Sequence, residues 1–447
     1  MRNLTFALIC VAVAVAVFVL ARLVGNDYVF FAGYVVLQYI VLATAWNILG
    51  GYTGYVNFGS AAFFALGAYA TVFLHKAFPV VTAYFVDEPY ALPIPVLIVV
   101  GAVISGFVGL GMGYLTLRLR GAFFAIATLA LAVVLQTFVT NWSYVGGARG
   151  AYVIRPNDIE PIGPYIQYLF LLMLALAVLA LVVARSIERS RLGLGFAAIR
   201  DDELAAEASG VPTLKLKLIA TTISGALMGM AGAPFPYYIG YLQPSSAFAL
   251  DYAVNSIAMP MIGGTTSWIG PLIGAILLGS LQQVATVTIS SSVNLLIVGL
   301  LIVDCVIIAP TGILGLVQGR RTARAVVADP AVFVLLFVVN VIPIYFLHQE
   351  ARGALPPDAM FWTIVGYLAF TRGLEVIFWA VLTYLAFARG RIVGLRWLGA
   401  LPVIGAALSV IPGPSWLWLV SALALAICLG CGLVLRLREP AAGSSTP

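Results

Sequence analysis

The sequence predicts an all-α polytopic membrane protein, and three observations carry that assignment. Of its 447 residues 62% are hydrophobic and only 9% charged, against about 45–50% and about 25% in soluble domains. Apolar runs approaching the ~20 residues that cross a hydrocarbon core recur along the chain. The 44 glycines suit close helix packing in a bilayer, and the sequence lacks the ~10-residue alternating segments of an outer-membrane barrel.

In chain order, spans are expected near 5–21, 29–49, 57–75, 91–117, 121–140, 165–184, 213–233, 248–263, 268–289 and 292–309. Four more follow near 331–347, 361–386, 397–411 and 416–435. The first run, LTFALICVAVAVAVFVL, exceeds the ~7–15-residue core of a signal peptide and meets Arg22 at once, so it reads as an uncleaved helix. Alternating the spans from an inside N-terminus leaves Arg22, Lys76, Arg149, Arg155 and Arg352 outside and Arg372 within a span. All the others of the 23 Lys and Arg fall inside, as the positive-inside rule requires. The net charge of +6 therefore orients the chain rather than binding nucleic acid, and both termini are expected in the cytoplasm. Cys10, Cys305, Cys428 and Cys431 lie in or at the ends of apolar spans, where thiols behave as small hydrophobes.

One stretch departs from this pattern. Ser190 to Lys217, SRLGLGFAAIRDDELAAEASGVPTLKLK, is too polar for the bilayer and too short to fold alone. A helix is expected from about Phe196 to Ser209, stopped by Gly210 with Pro212 beyond. Interfacial helices carry Lys and Arg on one face and bulky apolar residues on the other. This one is alanine-rich and acidic. It reads either as a solvated loop helix or as a helix docked in a partner's groove, with Asp201, Asp202, Glu203 and Glu207 meeting basic groups there.

ELAAEASG, Glu203 to Gly210, resembles the Glu-Ala-Ala…Gly loop of bacterial ABC importer permeases. Further segments resemble the branched-chain amino acid permease family: GYTGYVNFGSAAFFALGAY from Gly51, LRLRGAFFAIATLA from Leu117, GGARG from Gly146, MIGGTTSWIGPLIGAILLG from Met261 and APTGILGL from Ala309. LRLRGAFFAIATLA is similar to the signature of the M-type subunit. The likeness runs over about 28–317. Asn57-Phe58-Gly59-Ser60 and Arg149 depart from the family's usual residues, which leaves the substrate open.

The resemblance implies an ABC importer permease bundle of about ten spans over 1–325, with a cytoplasmic coupling helix near 196–210. Residues 326–447 would add about four transmembrane helices of unknown role. It implies a second permease subunit (a heterodimer, with a homodimer as the alternative), two ATPase subunits and a periplasmic solute-binding protein in a bacterial inner membrane. The chain contains no G-x-x-x-x-G-K-[ST] phosphate loop, so ATP and Mg are expected on the partner subunits, with no cofactor, metal or catalytic residue in this chain. Arg200, Asp201, Asp202, Glu203, Ala206, Glu207 and Gly210 would couple to the ATPase.

Polar groups at membrane depth either face a water-filled path or bond neighbouring helices. Asn47, Asn57, Gly59, Thr128, Gln136, Asn141, Asn255, Gly263 and Gly264 are the candidates for a path without fixed charge, suited to a zwitterion. Gly101, Ser105, Gly109 and Gly113 recur every four residues, a helix-packing pattern. The stretches from Gly50 and from Gly263 resemble one another as a short internal repeat. The loop from Asn141 to Pro164 offers Trp142, Arg149 and Arg155 for docking a binding protein. Urea, amides and aromatic acids stay open as cargo beside branched-chain amino acids. An ion-coupled carrier would instead use Asp251, Asp304 or an Arg372–Glu375 pair; an intramembrane enzyme has only His75 and His348 to work with.

Overall fold

A computed structural model describes residues 3–77, 93–116, 119, 121–153, 164–288 and 312–317. The chain divides into two units, Met1–Ser280 with Gly312–Leu314 and Leu281–Thr311 with Gly315–Pro447, and the packing described here is that of the first. The expected helices at 292–309 and beyond 325 lie outside the described residues.

The fold is all-α. Its long helices are α1 (Asn3–Val24), α2 (Asp27–Thr53), α3 (Ser60–Ala77), α4 (Ile94–Thr116), α5 (Ala122–Asn141), α6 (Tyr165–Glu188) and α9 (Thr213–Gly232). Between α6 and α9 lie α7 (Arg191–Asp201) and α8 (Glu203–Ala208); after α9 come the short α10 (Phe235–Ile239) and α11 (Pro244–Ala247), then α12 (Leu250–Gly263) and α13 (Ile269–Thr288). Among the described residues six segments are long and apolar enough to cross a membrane: Thr5–Val24, Asp27–Thr53, Ile94–Thr116, Ala122–Asn141, Tyr165–Glu188 and Thr213–Ile239. With its 14 residues, α12 reaches only ~21 Å at 1.5 Å per residue, short of the ~30 Å core. The expected crossing near 248–263 is thus a shorter helix led in by α10 and α11.

Small residues set the packing. α4 is tied to α3 where Ser105 Oγ donates to the Phe63 carbonyl at 2.9 Å, and it crosses α9 where an added Cβ at Gly101 would lie 3.1 Å from the Gly229 carbonyl oxygen. A Cβ at Gly67 of α3 would overlap that same Gly229 carbonyl. The four-residue small-residue pattern therefore brings three backbones together, which substitutes for a hydrophobic driving force that lipid does not supply. α2 is central, with Tyr34, Val41, Ala43, Ala45, Ile48 and Leu49 fully buried. By contrast α5 buries only Phe124, Thr128, Ala132 and Val139 and turns Phe123, Ile126, Val133, Val134 and Phe138 outward. Such exposed apolar faces are what a bilayer solvates.

The helix ends fall into two groups. At one end the α2–α3 corner, the α12–α13 corner, the α7–α8 segment and the start of α1 lie together: Phe6 meets Trp268 at 4.8 Å between ring centroids and Arg185 lies 3.7 Å over the Phe6 ring. At the other end two single-turn 3-10 helices, Ser143–Val145 and Gly147–Arg149, lead into strand β1 (Ala151–Tyr152). This pairs antiparallel with β2 (Tyr241–Leu242), Ala151 opposite Leu242 and Tyr152 opposite Tyr241.

Candidate functional site

The polar segment folds as two helices, not one. Ser190 caps α7, its Oγ accepting from the Leu192 N–H at 3.1 Å. The chain extends at Asp202 (φ −160°, ψ 109°), where the carboxylate accepts from the N–H groups of Leu204 and Ala205 at 2.9 and 3.1 Å. An aspartate cap competes with helix continuation because it satisfies donors that a new helix leaves orphaned. This corrects the expected unbroken helix over 196–209. The C-terminal stop is as the sequence predicts: the Val211 N–H bonds the Ala206 carbonyl, the Gly210 N–H bonds that of Glu207, and Gly210 takes φ 83°. That is a Schellman ending, which needs a left-handed residue.

The charges of the segment are shared between inside and outside. Glu203 accepts a hydrogen bond from the Tyr55 hydroxyl and pairs with Lys217 Nζ at 2.7 Å. Lys217, only 3% exposed, also donates to the Tyr55 hydroxyl at 3.2 Å and lies 4.6 Å from its ring centroid. Glu207 accepts from the Thr213 hydroxyl at 2.7 Å, closing the α8–α9 turn, and Ala206 is buried. Two of the four acids expected to meet a partner's basic groups are therefore engaged within the chain and a third is a cap. Exposed on the segment are Arg200 beside Asp201 at 3.4 Å, the latter 74% exposed, the capping Asp202 and Glu207, and Leu194 and Leu204, 73% and 63% exposed.

A second carboxylate acts at the start of the segment. Glu188, the last residue of α6, accepts from the Trp268 N–H at 2.8 Å and from the Tyr52 hydroxyl at 3.4 Å. It lies at the entry to α13, where a helix N-terminus favours negative charge.

The path candidates separate into groups. Asn57 Oδ1 accepts from the Gly59 N–H at 2.8 Å, the Asn57 carbonyl accepts from the Trp46 indole N–H at 2.8 Å, and Thr128 Oγ1 accepts from the Phe58 N–H at 3.1 Å. These bonds hold the α2–α3 corner, with Asn47 nearby on α2 and 1% exposed. Asn255 instead donates to the Tyr39 hydroxyl at 3.4 Å. On α5, Gln136 is half-buried, while exposed Asn141 bonds the Thr137 carbonyl of its own helix. Gly263 and Gly264 form the α12–α13 corner, in backbone contact with Gly270 and Gly312. The stretches from Gly50 and Gly263 share a helix–corner–helix form with a positive-φ glycine, Gly54 or Gly264, at the turn. Among the described residues no group of three or more His, Cys, Asp or Glu could hold a metal.

At the far end the GGARG turn uses Gly146, Gly147 and Gly150 all at positive φ, and the Tyr241 hydroxyl bonds the Arg149 carbonyl. Trp142 and Arg149 are exposed there; Arg155 lies outside the described residues.

Compared with known families, residues 28–306 match the branched-chain amino acid transport system permease component. The chain belongs to that family. Relatives of this permease include the high-affinity branched-chain amino acid transport system permease protein LivM of Salmonella typhimurium and of Escherichia coli. Each is 27% identical over 54% of this chain and 59% of its own length. A probable LivH of Methanocaldococcus jannaschii is 26% identical over 59% of this chain and 84% of its own. The chain thus spans about 59% of the length of the LivM relatives it matches. No solved structure matches it. Family membership and the apolar helices make it a multi-pass membrane protein.

Sequence reasoning missed Tyr52, Tyr55, Glu188 and the buried state of Lys217. A signal for the last existed: Thr213, Lys217, Ala220, Thr221 and Ser224 recur at helical spacing and form the buried face of α9. The ion-coupling candidates Asp304, Arg372 and Glu375 lie outside the described residues; Asp251 is exposed at the start of α12.

Proposed function

We propose that the chain is a transmembrane permease subunit of an ATP-driven, binding-protein-dependent importer for branched-chain amino acids or a similar small polar solute. It works in a bacterial inner membrane with both termini cytoplasmic. The observation that carries this reading is the α7–α8 pair in a chain of this family. It is a polar projection at one end of an apolar bundle, capped at both ends, with Leu194 and Leu204 held out from it. Exposed leucines on a polar segment are poor lipid anchors by themselves and good knobs for a protein groove. The pair is the coupling segment to an ATPase subunit that carries ATP and Mg. The complex also holds a second permease, a second ATPase subunit and a periplasmic binding protein, which meets the far-end loop around Trp142 and Arg149.

The test is purification of the complex in detergent from its own cells, followed by an ATPase assay with the co-purified periplasmic protein added. Co-purifying ATPase subunits and stimulated hydrolysis support the reading, and Leu194→Asp with Leu204→Asp should release the ATPase without reducing inserted permease. A chain that transports alone after reconstitution overturns it.

A further inference from the structure

Two carboxylates, one at the α7–α8 junction and one at the end of α6 just before α7, reach the helix corners. Glu203 begins α8 and bonds Tyr55, which lies in the α2–α3 corner; Glu188 closes α6, just before the Ser190 cap of α7, and bonds the Trp268 N–H at the entry to α13 at 2.8 Å. Close packing adds to the first link, because an added Cβ at Gly54 would lie 3.3 Å from Arg200 Cγ and 3.7 Å from its Cα. Both corners are themselves stiff. The α2–α3 corner is pinned by the Trp46, Asn57 and Thr128 bonds, and the α12–α13 corner is packed backbone to backbone through Gly263 and Gly270. A rigid element bonded to a rigid corner moves it, whereas a flexible corner would absorb the displacement.

We propose that Glu203 and Glu188 are positioning residues that tether the α2–α3 and α12–α13 corners to the α7–α8 pair, so that one displacement of the pair is delivered to both corners. The inference rests on the coupling role given to α7–α8 above. It differs from that role in assigning these acids to the chain's own interior rather than to a partner. The two tethers differ in reach. Glu203 acts with Lys217 through Tyr55. Glu188 acts on the Trp268 N–H of the other corner and also accepts from Tyr52 near the end of α2. That hydroxyl lies equally close, at 3.4 Å, to the Ala184 carbonyl of α6, so losing Glu188 leaves Tyr52 an acceptor. Loss of one should release one corner and leave the other attached. A role confined to holding the fold would loosen both corners together or neither.

The test is pulsed-EPR distance measurement in the assembled complex, in a chain whose four cysteines are first replaced. Spin labels on the exposed positions Ala208 and Val56 report the Glu203 tether; labels on Ala208 and Met261, likewise exposed, report the Glu188 tether. In the otherwise unchanged chain both distances are expected to stay constant between the nucleotide-free and the Mg·ADP·vanadate-trapped complex. Glu203→Leu should shift and broaden the first distance on trapping and not the second, and Glu188→Leu the reverse. Tyr55→Phe should reproduce Glu203→Leu, which guards against a folding artefact peculiar to one variant. Distances that change equally in all variants, or in none, overturn the tethers. ATPase activity is measured on the same samples. A preparation with no co-purifying ATPase overturns the coupling reading and the tethers with it, whereas active complexes with unselective distances overturn the tethers alone.

Discussion

The Glu203–Lys217 pair permits a quantitative prediction, because both side chains are withdrawn from solvent, at 13% and 3% exposed. Glu203→Leu would leave an ammonium group buried without its carboxylate. Removing one partner of a buried pair costs ~3–5 kcal/mol. Tyr55 remains, and its hydroxyl at 3.2 Å and ring at 4.6 Å return roughly 1 kcal/mol between them. The single variant should therefore lose ~2–4 kcal/mol, and Lys217→Met a similar amount through the stranded carboxylate. Replacing both charges by apolar groups of similar volume is close to neutral in buried pairs, so the double variant should recover most of the loss. Thermal scans of the detergent-solubilised chain at one fixed rate measure this, the fixed rate being needed because unfolding of large proteins is commonly irreversible. At about 1–2 °C per kcal/mol, less than the value for smaller domains, each single variant should melt several degrees low and the double near the parent. A double variant that melts at the sum of the two single losses would refute the pairing.

Three other outcomes follow from the packing. Gly67→Ala inserts a methyl against the Gly229 carbonyl and should cost ~1–3 kcal/mol by overpacking, while Gly111→Ala, with nothing within 4 Å, should be neutral or raise the melting temperature. Phe6→Ala removes a ring that is 7% exposed and stacked on Arg185. Hydrogen exchange should then accelerate in α1, whose other residues are largely turned outward, and change little in α2 and α9. Arg149→Ala should lower binding-protein-stimulated ATPase activity with the unstimulated rate kept; equal loss of both would point to a folding defect in the far-end turn.

The helices were legible because their signals are local or compositional. Apolar runs gave α1, α2, α4, α5, α6 and α9 to within a few residues, and Gly210 with Pro212 gave the end of α8. The break at Asp202 was missed: its local signal is an aspartate followed by Glu-Leu-Ala, but a run of four charges in a helical context hides a capping residue among surface ones. The bounds of α12 were legible, 248–263 expected against Leu250–Gly263. Its reading as a full crossing was not, because its apolar composition equals that of a crossing helix. The tethers were hidden for a different reason. Tyr55 and Lys217 are 162 positions apart, and a tyrosine at a corner or a lysine near a membrane boundary each has an ordinary explanation taken singly. Only the buried stripe of α9 marked Lys217 as facing the wrong way for a surface charge.

That division of charge changes what docking experiments can show. Substituting Glu203 and Glu207 by Lys would uncouple transport under either view, since a lysine at 203 meets Lys217 inside the chain whatever the partner does. A cleaner separation is the response to salt. If acidic residues of the segment bound a basic groove, the contact would be exposed charge on exposed charge, screened within ~3 Å at 1 M ionic strength, and the ATPase would dissociate in concentrated salt. The structure instead leaves Leu194 and Leu204 as the most exposed large apolar residues of the segment, while exposed Asp201 already lies beside Arg200. Apolar burial is not screened. The ATPase should therefore stay bound when the detergent-solubilised complex is washed at about 1 M sodium chloride, and Asp201→Asn should assemble as the parent does, while Leu204→Asp should not. Dissociation in salt, reproduced by Asp201→Asn, would return the docking role to the acids and reduce the leucines to incidental exposure.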